Sequence, residues 1–338
     1  VQTKHHSLTT IKPRLSISLQ QKYGVIAQIF ISKGYFTYQI TKKSPWFVVV
    51  NTHRNDQRVK TAIGISPMCD VESGLFFMGS CFGEEMHSRV QSLGIKSHSN
   101  PFGVIFHPLP MLQNIQMLWA ARDTDAWANH IQSEAFYLHK GIHHSLQHAH
   151  RFHHESPEIL NAALYREAQI GLSAIQNSDL IGITLGTAWI YQHLPTNIYV
   201  GNCHKLPQQD FKKHLSKQAD IKITISHIST ILHTINPSAT VVFTISPVKH
   251  MRDGLNQNLA SKSTLISAMT EFMEEQTTGN TSKDLYFPAY EIITEELNDW
   301  KFFRSDRMHP TDEAINVVFE RFYNSFFPTK DSTLGDTV

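Results

Sequence analysis

Leu75-Phe76-Phe77-Met78-Gly79-Ser80-Cys81-Phe82-Gly83-Glu84-Glu85 reads as a buried strand that breaks at a glycine and runs at once into a helix. An apolar run without polar alternation is what a strand covered on both faces requires, as in parallel sheets flanked by helices. Gly79 frees the backbone for a sharp turn, and Ser80 is a residue type preferred at helix N-caps. Glu84 and Glu85 sit where the positive end of a helix favours carboxylates. A serine so placed stands at the carboxyl end of a parallel strand, where open α/β sheets bind their ligands.

Downstream of this stretch, short apolar runs alternate with longer helical ones. Strands are expected at residues 74–78, 95–98, 180–185, 240–245 and 285–287. Helices are expected at residues 83–92, 108–120, 157–176, 210–234, 261–275 and 311–326. Strand and helix in turn define an α/β class, a parallel sheet with helices on both faces. The starts Ser156-Pro157-Glu158 and Pro310-Thr311-Asp312-Glu313 each set a capping residue or proline beside early carboxylates. This domain takes in residues 71–328, with 329–338 as a C-terminal tail. Residues 1–70 carry β-rich runs at 25–32, 35–40 and 46–51, show no catalytic pattern, and are expected to form an N-terminal extension.

With 41% hydrophobic residues in 338, the chain can bury a full core. Its 30 basic and 29 acidic side chains leave a net charge of +1, so no global field points to nucleic acid or to a membrane surface. A small-molecule substrate fits best. The most apolar stretch near the start, residues 23–32, is far short of the ~20 residues a spanning helix needs. Cys69, Cys81 and Cys203 are too few, and odd in number, for a disulfide framework; free thiols in a reducing compartment, the cytoplasm, are the expectation.

The second chemical site is Arg304-Ser305-Asp306-Arg307-Met308-His309-Pro310. A hydroxyl is a poor nucleophile until a base takes its proton, and histidine suits that task. A carboxylate on the other ring nitrogen fixes the tautomer and steadies the imidazolium. With two residues between them, Asp306 and His309 can reach each other across one turn of chain. Ser80, His309 and Asp306 thus make a candidate catalytic triad, against which stands the simpler reading of Ser80 as a helix cap.

Gly79-Ser80-Cys81-Phe82, Asn100-Pro101-Phe102-Gly103, Leu185-Gly186-Thr187-Ala188-Trp189, Gly201-Asn202-Cys203-His204-Lys205, Ser246-Pro247-Val248 and Asp306-x-x-His309 follow one another in order. Together they resemble the GSCFA family, a branch of the SGNH or GDSL-like hydrolases, over about residues 70–328. The resemblance implies a flavodoxin-like three-layer fold and an esterase with Ser80 in the first block and Asp306 and His309 in the last. It implies that Gly103 donates a backbone N–H to the oxyanion, together with that of Ser80. The third block of the superfamily carries Gly-x-Asn, but here Gly186-Thr187-Ala188 lacks the asparagine. Asn202 is the substitute donor, with His204, Lys205 and His144 as substrate contacts. The expected substrate is a small-molecule or carbohydrate ester, and the mechanism requires no cofactor.

The rival reading rests on His139, His143, His144, His148, His150, His153 and His154. Such a cluster can take zinc, copper or nickel, and His144 with His148, or His150 with His154, has the spacing of one helix face. Gly141 and Pro157 argue for a loop there instead, and no metal is assigned. A carbohydrate-binding relative that has lost turnover is the other alternative.

Overall fold

The computed structural model describes the strands Ala27–Ser32 and Tyr35–Ile40 and residues 67–133, 136–279 and 284–328. Two units are distinct, Val1–Ala62 and Ile63–Val338. In the first, β1 (Ala27–Ser32) pairs antiparallel with β2 (Tyr35–Ile40). The expected strand at 46–51 and the tail 329–338 lie outside the described residues.

The second unit is built on five parallel strands: β3 (Leu75–Gly79), β4 (Ser97–Ser99), β8 (Leu180–Leu185), β12 (Thr240–Ile245) and β13 (Asp284–Phe287). They lie in the order β13-β12-β8-β3-β4. In sequence rank that is the 2-1-3-4-5 order of doubly wound flavodoxin-like sheets, whose order reverses between the first and third strands. Every residue of β3 and β8 is buried.

Alternate side chains serve the two faces. Leu75 and Phe77 join a cluster with Phe82, Met86 and Val90 of α1 (Cys81–Ser92) and Ile315, Val318, Phe322 and Phe326 of α7 (Asp312–Phe326). The Phe322 ring lies 6.1 Å from Phe77 and 5.4 Å from Phe287, so truncating it to alanine would cost about 3–5 kcal/mol. The opposite face carries α2 (Pro108–Ala120), α4 (Pro157–Gln176), α5 (Gln218–Ile235) and α6 (Leu255–Gly279), the last setting Phe272 5.6 Å from Phe243. Ser156 and Thr311 cap α4 and α7 by accepting from Ile159 N and Ala314 N.

Three departures from the sequence reading matter. The stretch read as one helix over 210–234 begins as a strand, β11 (Phe211–Leu215), which pairs antiparallel with β9 (Trp189–His193). β9 also pairs with β10 (Ile198–Val200), making a small second sheet beyond the end of β8. The histidine-rich segment, expected as a loop rather than a helix, is indeed not helical but carries short strands: β5 (Tyr137–His139), β6 (Ile142–His144) and β7 (His153–His154) form an antiparallel meander. His143 faces His154 and His144 faces His153 across its strands, so cross-strand pairing, not helical spacing, decides which imidazoles meet. A further helix, α3 (Thr124–Ser133), was not expected. Among the described residues, no helix is long and apolar enough to cross a membrane.

Candidate functional site

The carboxyl ends of β3, β8 and β12 form one edge. Gly79, at the end of β3, has φ +128°, and a Cβ there would stand 2.1 Å from the Thr184 carbonyl oxygen. Only glycine can bring the turn this close to the neighbouring strand. Its N–H donates to Asn100 Oδ1 at 2.8 Å, and Ser80 N–H donates to Thr184 O at 3.1 Å. Ser80 is fully buried, and its Oγ accepts from Phe82 N at 3.3 Å as the cap of α1.

At the same edge Asp306 and His309 meet. His309 Nδ1 lies 2.6 Å from Asp306 Oδ2, while Asp306 Oδ1 accepts from His309 N at 3.0 Å and Met308 N at 2.8 Å. The His309 amide and ring and the Met308 amide hold the carboxyl far below the usual carboxylate range. The loop is fixed in turn: Arg304 N donates to His309 O at 2.7 Å and Lys249 N to Met308 O at 3.0 Å. Asp306 and His309 are therefore coupled as their spacing predicts. No hydrogen bond joins Ser80 Oγ to His309.

His309 opens onto a cavity of about 410 Å³, shared with Cys81, His107, Thr187, Trp189, Tyr191, Asn202, Lys213, Lys249 and Arg252. Ser80 does not line it. The neighbouring Cys81 does, but burial and then the Glu84 carboxylate push its thiol up, which disfavours the thiolate a cysteine nucleophile needs.

The expected oxyanion donors divide. Gly103, at φ +84°, closes a turn and gives its N–H to Asn100 O at 2.8 Å, so it is a turn residue and not a free donor. Ser80 N–H is likewise engaged in the sheet ladder. Asn202 does line the cavity; its Oδ1 accepts from His204 N at 2.8 Å, leaving Nδ2 without a partner among the described residues. Thr187 is occupied, its hydroxyl 2.9 Å from Ser261 Oγ and accepting from Trp189 N at 3.1 Å.

The three expected substrate contacts do not reach the cavity. Lys205 is exposed, and neither His144 nor His204 is among the lining residues. His204 is buried behind the Asn202 turn, its Nε2 3.0 Å from His148 O. His150, His153 and His204 are instead the one group of side chains among the described residues placed to hold a metal ion.

Two residues of α6 escaped the sequence reading. Lys262, fully buried, donates to Gly186 O at 2.7 Å and Ser246 O at 2.6 Å, tying the ends of β8 and β12 together; burial pushes its ammonium down to about 7. Ser261 Oγ accepts from Ala188 N at 2.8 Å. Ser261-Lys262 thus shapes the Gly186-Thr187-Ala188 block. Its signal, a Ser-Lys pair inside a helix, has no meaning until the fold puts it beside Gly186.

The sequence pattern of the GSCFA family matches residues 74–322, the whole of the parallel sheet and its flanking helices up to the last turn of the final one. The chain belongs to the GSCFA family. No curated protein sequence matches it. Similar solved structures include a carbohydrate esterase family 3 enzyme from Talaromyces cellulolyticus, at 10% identity over 46% of this chain and 61% of that one, with a TM-score of 0.26. A mutant acetyl esterase with an acetate ion is 8% identical over 73% and 92%, at a TM-score of 0.32. An acetyl xylan esterase from the rumen bacterium Butyrivibrio proteoclasticus is 12% identical over 78% and 66%, at 0.34. This GSCFA chain thus spans about three-fifths of the first enzyme's length and just under two-thirds of the third's.

Proposed function

We propose that this GSCFA protein is a serine-dependent ester hydrolase in which Ser80 attacks the carbonyl, His309 takes its proton, and Asp306 orients the imidazole. The observation that carries the reading is the Asp306–His309 pair, 2.6 Å apart, whose His309 opens onto the cavity at the strand edge where Ser80 follows β3. The bond from Phe82 N to Ser80 Oγ, at 3.3 Å, is long for a cap, and attack requires Oγ to leave it and turn toward His309. An acyl-enzyme forms and water releases the acyl group, with His309 again as base. Asn202 Nδ2 supplies one oxyanion donor. Cys81 N–H, which has no intrahelical acceptor as the first residue of α1, supplies another.

The lining also favours a substrate class. Lys213 Nζ stands over the Trp189 and Tyr191 rings at 4.9 and 5.6 Å, and with Lys249 and Arg252 it supplies positive charge, with no carboxylate among the lining residues. An acyl ester of a carbohydrate that carries an anionic group fits this wall best.

Burst release of the alcohol from an activated aryl acetate tests the reading. Ser80→Ala should abolish the burst, while Cys81→Ala should leave most of it. A second reading, a carbohydrate-binding relative without turnover, is favoured by the burial of Ser80 away from the cavity. Binding of a sugar ester with neither burst nor steady turnover would select it.

A further inference from the structure

Four imidazoles, none of them among the residues lining the cavity, stand in a closed ring. Their centroids are 5.3 Å apart for His144 and His204, 5.6 Å for His204 and His150, 4.8 Å for His150 and His153, and 5.6 Å for His153 and His144. An imidazole bound to zinc at about 2.0–2.1 Å holds its ring centre about 3.2 Å from the ion, which places tetrahedral neighbours about 5.2 Å apart. Four of the six separations of a tetrahedral set thus lie near that value. His150, His153 and His204 each bring a ring nitrogen to within 4.8 Å of the others'. His144 Nδ1 is 3.4 Å from His204 Nδ1, close to the ~3.3 Å between ligands on one tetrahedral zinc.

The outer hydrogen bonds assign the tautomers. A carbonyl oxygen only accepts, so His204 Nε2 is the donor to His148 O at 3.0 Å, and His153 Nδ1 the donor to His150 O at 2.6 Å. The lone pairs are then on His204 Nδ1 and His153 Nε2, and the protonated His153 Nδ1 is the nitrogen that lies 3.3 Å from His150 Nδ1, so His153 ligates through the far side of its ring. A ring N–H held by a carbonyl while the opposite nitrogen is left to ligate is the usual outer shell of a metal-binding histidine. No carboxylate or thiolate belongs to the group, and an all-imidazole set suits zinc, copper or nickel over calcium or magnesium.

We propose that His150, His153 and His204 form a structural site for a divalent transition metal of the zinc type, its fourth position taken by His144, which lies outside that three-residue set, once its ring turns inward. The ion fastens the turn 201–205 to the β5–β7 meander. That turn needs fastening, because His204 and Lys205 both have left-handed backbone, at φ 48° and 56°. Because Asn202 Oδ1 is held by His204 N, the metal fixes where the Asn202 amide enters the cavity. The proposal does not depend on the hydrolase reading.

The full chain, stripped with chelator and dialysed, is titrated calorimetrically with zinc chloride, and cobalt(II) is added to a second sample. The expected result is a single equivalent of zinc at sub-micromolar Kd, and the intense visible absorption of four-coordinate cobalt. His150→Ala/His153→Ala, both half-buried, should weaken zinc by more than about 100-fold, beyond the loss an outer hydrogen bond alone produces. His143→Ala/His154→Ala, on the same meander, should bind as the parent does. Less than one equivalent bound by the parent, a weak octahedral cobalt spectrum, or equal binding by the His150/His153 variant would each overturn the site. If that variant does not fold, the stoichiometry and cobalt spectrum of the parent decide.

Discussion

Asp306→Asn separates an orienting carboxylate from a structural one, because its two oxygens do different work. Oδ1 holds the loop by accepting from Met308 N and His309 N at 2.8 and 3.0 Å; Oδ2 accepts from the imidazole at 2.6 Å. An asparagine keeps one carbonyl oxygen, which can still take both backbone N–H groups, so the loop should survive. Its NH₂ then occupies the place of Oδ2 and can only donate to Nδ1. The ring proton is driven to Nε2, the nitrogen that must accept the Ser80 proton, and the base is lost. In hydrolases with this arrangement the same tautomer error costs about 10⁴-fold in kcat, and that is the effect expected here, with KM little changed. Steady-state hydrolysis of an activated aryl acetate measures the rate, thermal unfolding checks the fold, and ¹H–¹⁵N spectra of the ring report the tautomer. A variant that keeps kcat within tenfold, with its tautomer switched, would refute the assignment of His309 as base.

Three further outcomes follow from the same geometry. Gly79→Ala forces a Cβ against Thr184 O at φ +128° and loosens the Ser80 N–Thr184 O bond, so a loss of about 3–5 kcal/mol in urea unfolding is expected; under 1 kcal/mol would show that the turn relaxes freely. His107 caps α2 through Nδ1, which accepts from Leu109 N, and burial pushes its imidazole down to about 3. Between an unfolded value near ~6.5 and that folded value the unfolded chain alone takes up the proton, so stability falls with falling pH by about 1.4 kcal/mol per unit. His107→Asn should remove that part of the slope, and a parallel pH profile of the two proteins would contradict it. Asn202→Ala should lower kcat by about 10²–10³ and leave KM nearly unchanged, since its hydrogen bond strengthens only as charge develops on the oxygen. A rise in KM without loss of kcat would make it a ground-state contact.

How legible the fold is depends on where each element finds its partners. The runs 180–185 and 240–245 match β8 and β12 to the residue because a central parallel strand is apolar on both faces and bounded by turns. The helices at 108–120 and 157–176 are equally clear, each opened by proline and a capping side chain. β11 was hidden because its signal is the opposite kind. Phe211-Lys212-Lys213-His214-Leu215 is polar at its centre and pairs with β9, some twenty residues earlier, so neither hydrophobic period nor propensity separates it from the helix that follows. The meander strands, two or three residues long, are too short to have a period at all.

The site divides along the same line. Asp306 and His309 are three residues apart, so their bond is a property of one turn and could be read directly. The cationic wall is not local: Lys213 comes from β11, Lys249 and Arg252 from the segment after β12, and their convergence exists only once the second sheet folds over the strand edge. The histidines show how a local rule misleads. Spacing of four residues pairs His144 with His148 and His150 with His154, whereas the meander brings His144 to His153, and the turn after β10 adds His204 from fifty residues away. Gly103 marks the same boundary from the other side. Its position in the chain matches a donor of the superfamily, yet its N–H closes on Asn100 O, and the turn that Asn100 makes with it is also what holds Gly79 N–H. A motif therefore fixes which residues attend the strand edge, while the hydrogen bonds of this chain decide which of them support the turn and which remain to meet a substrate.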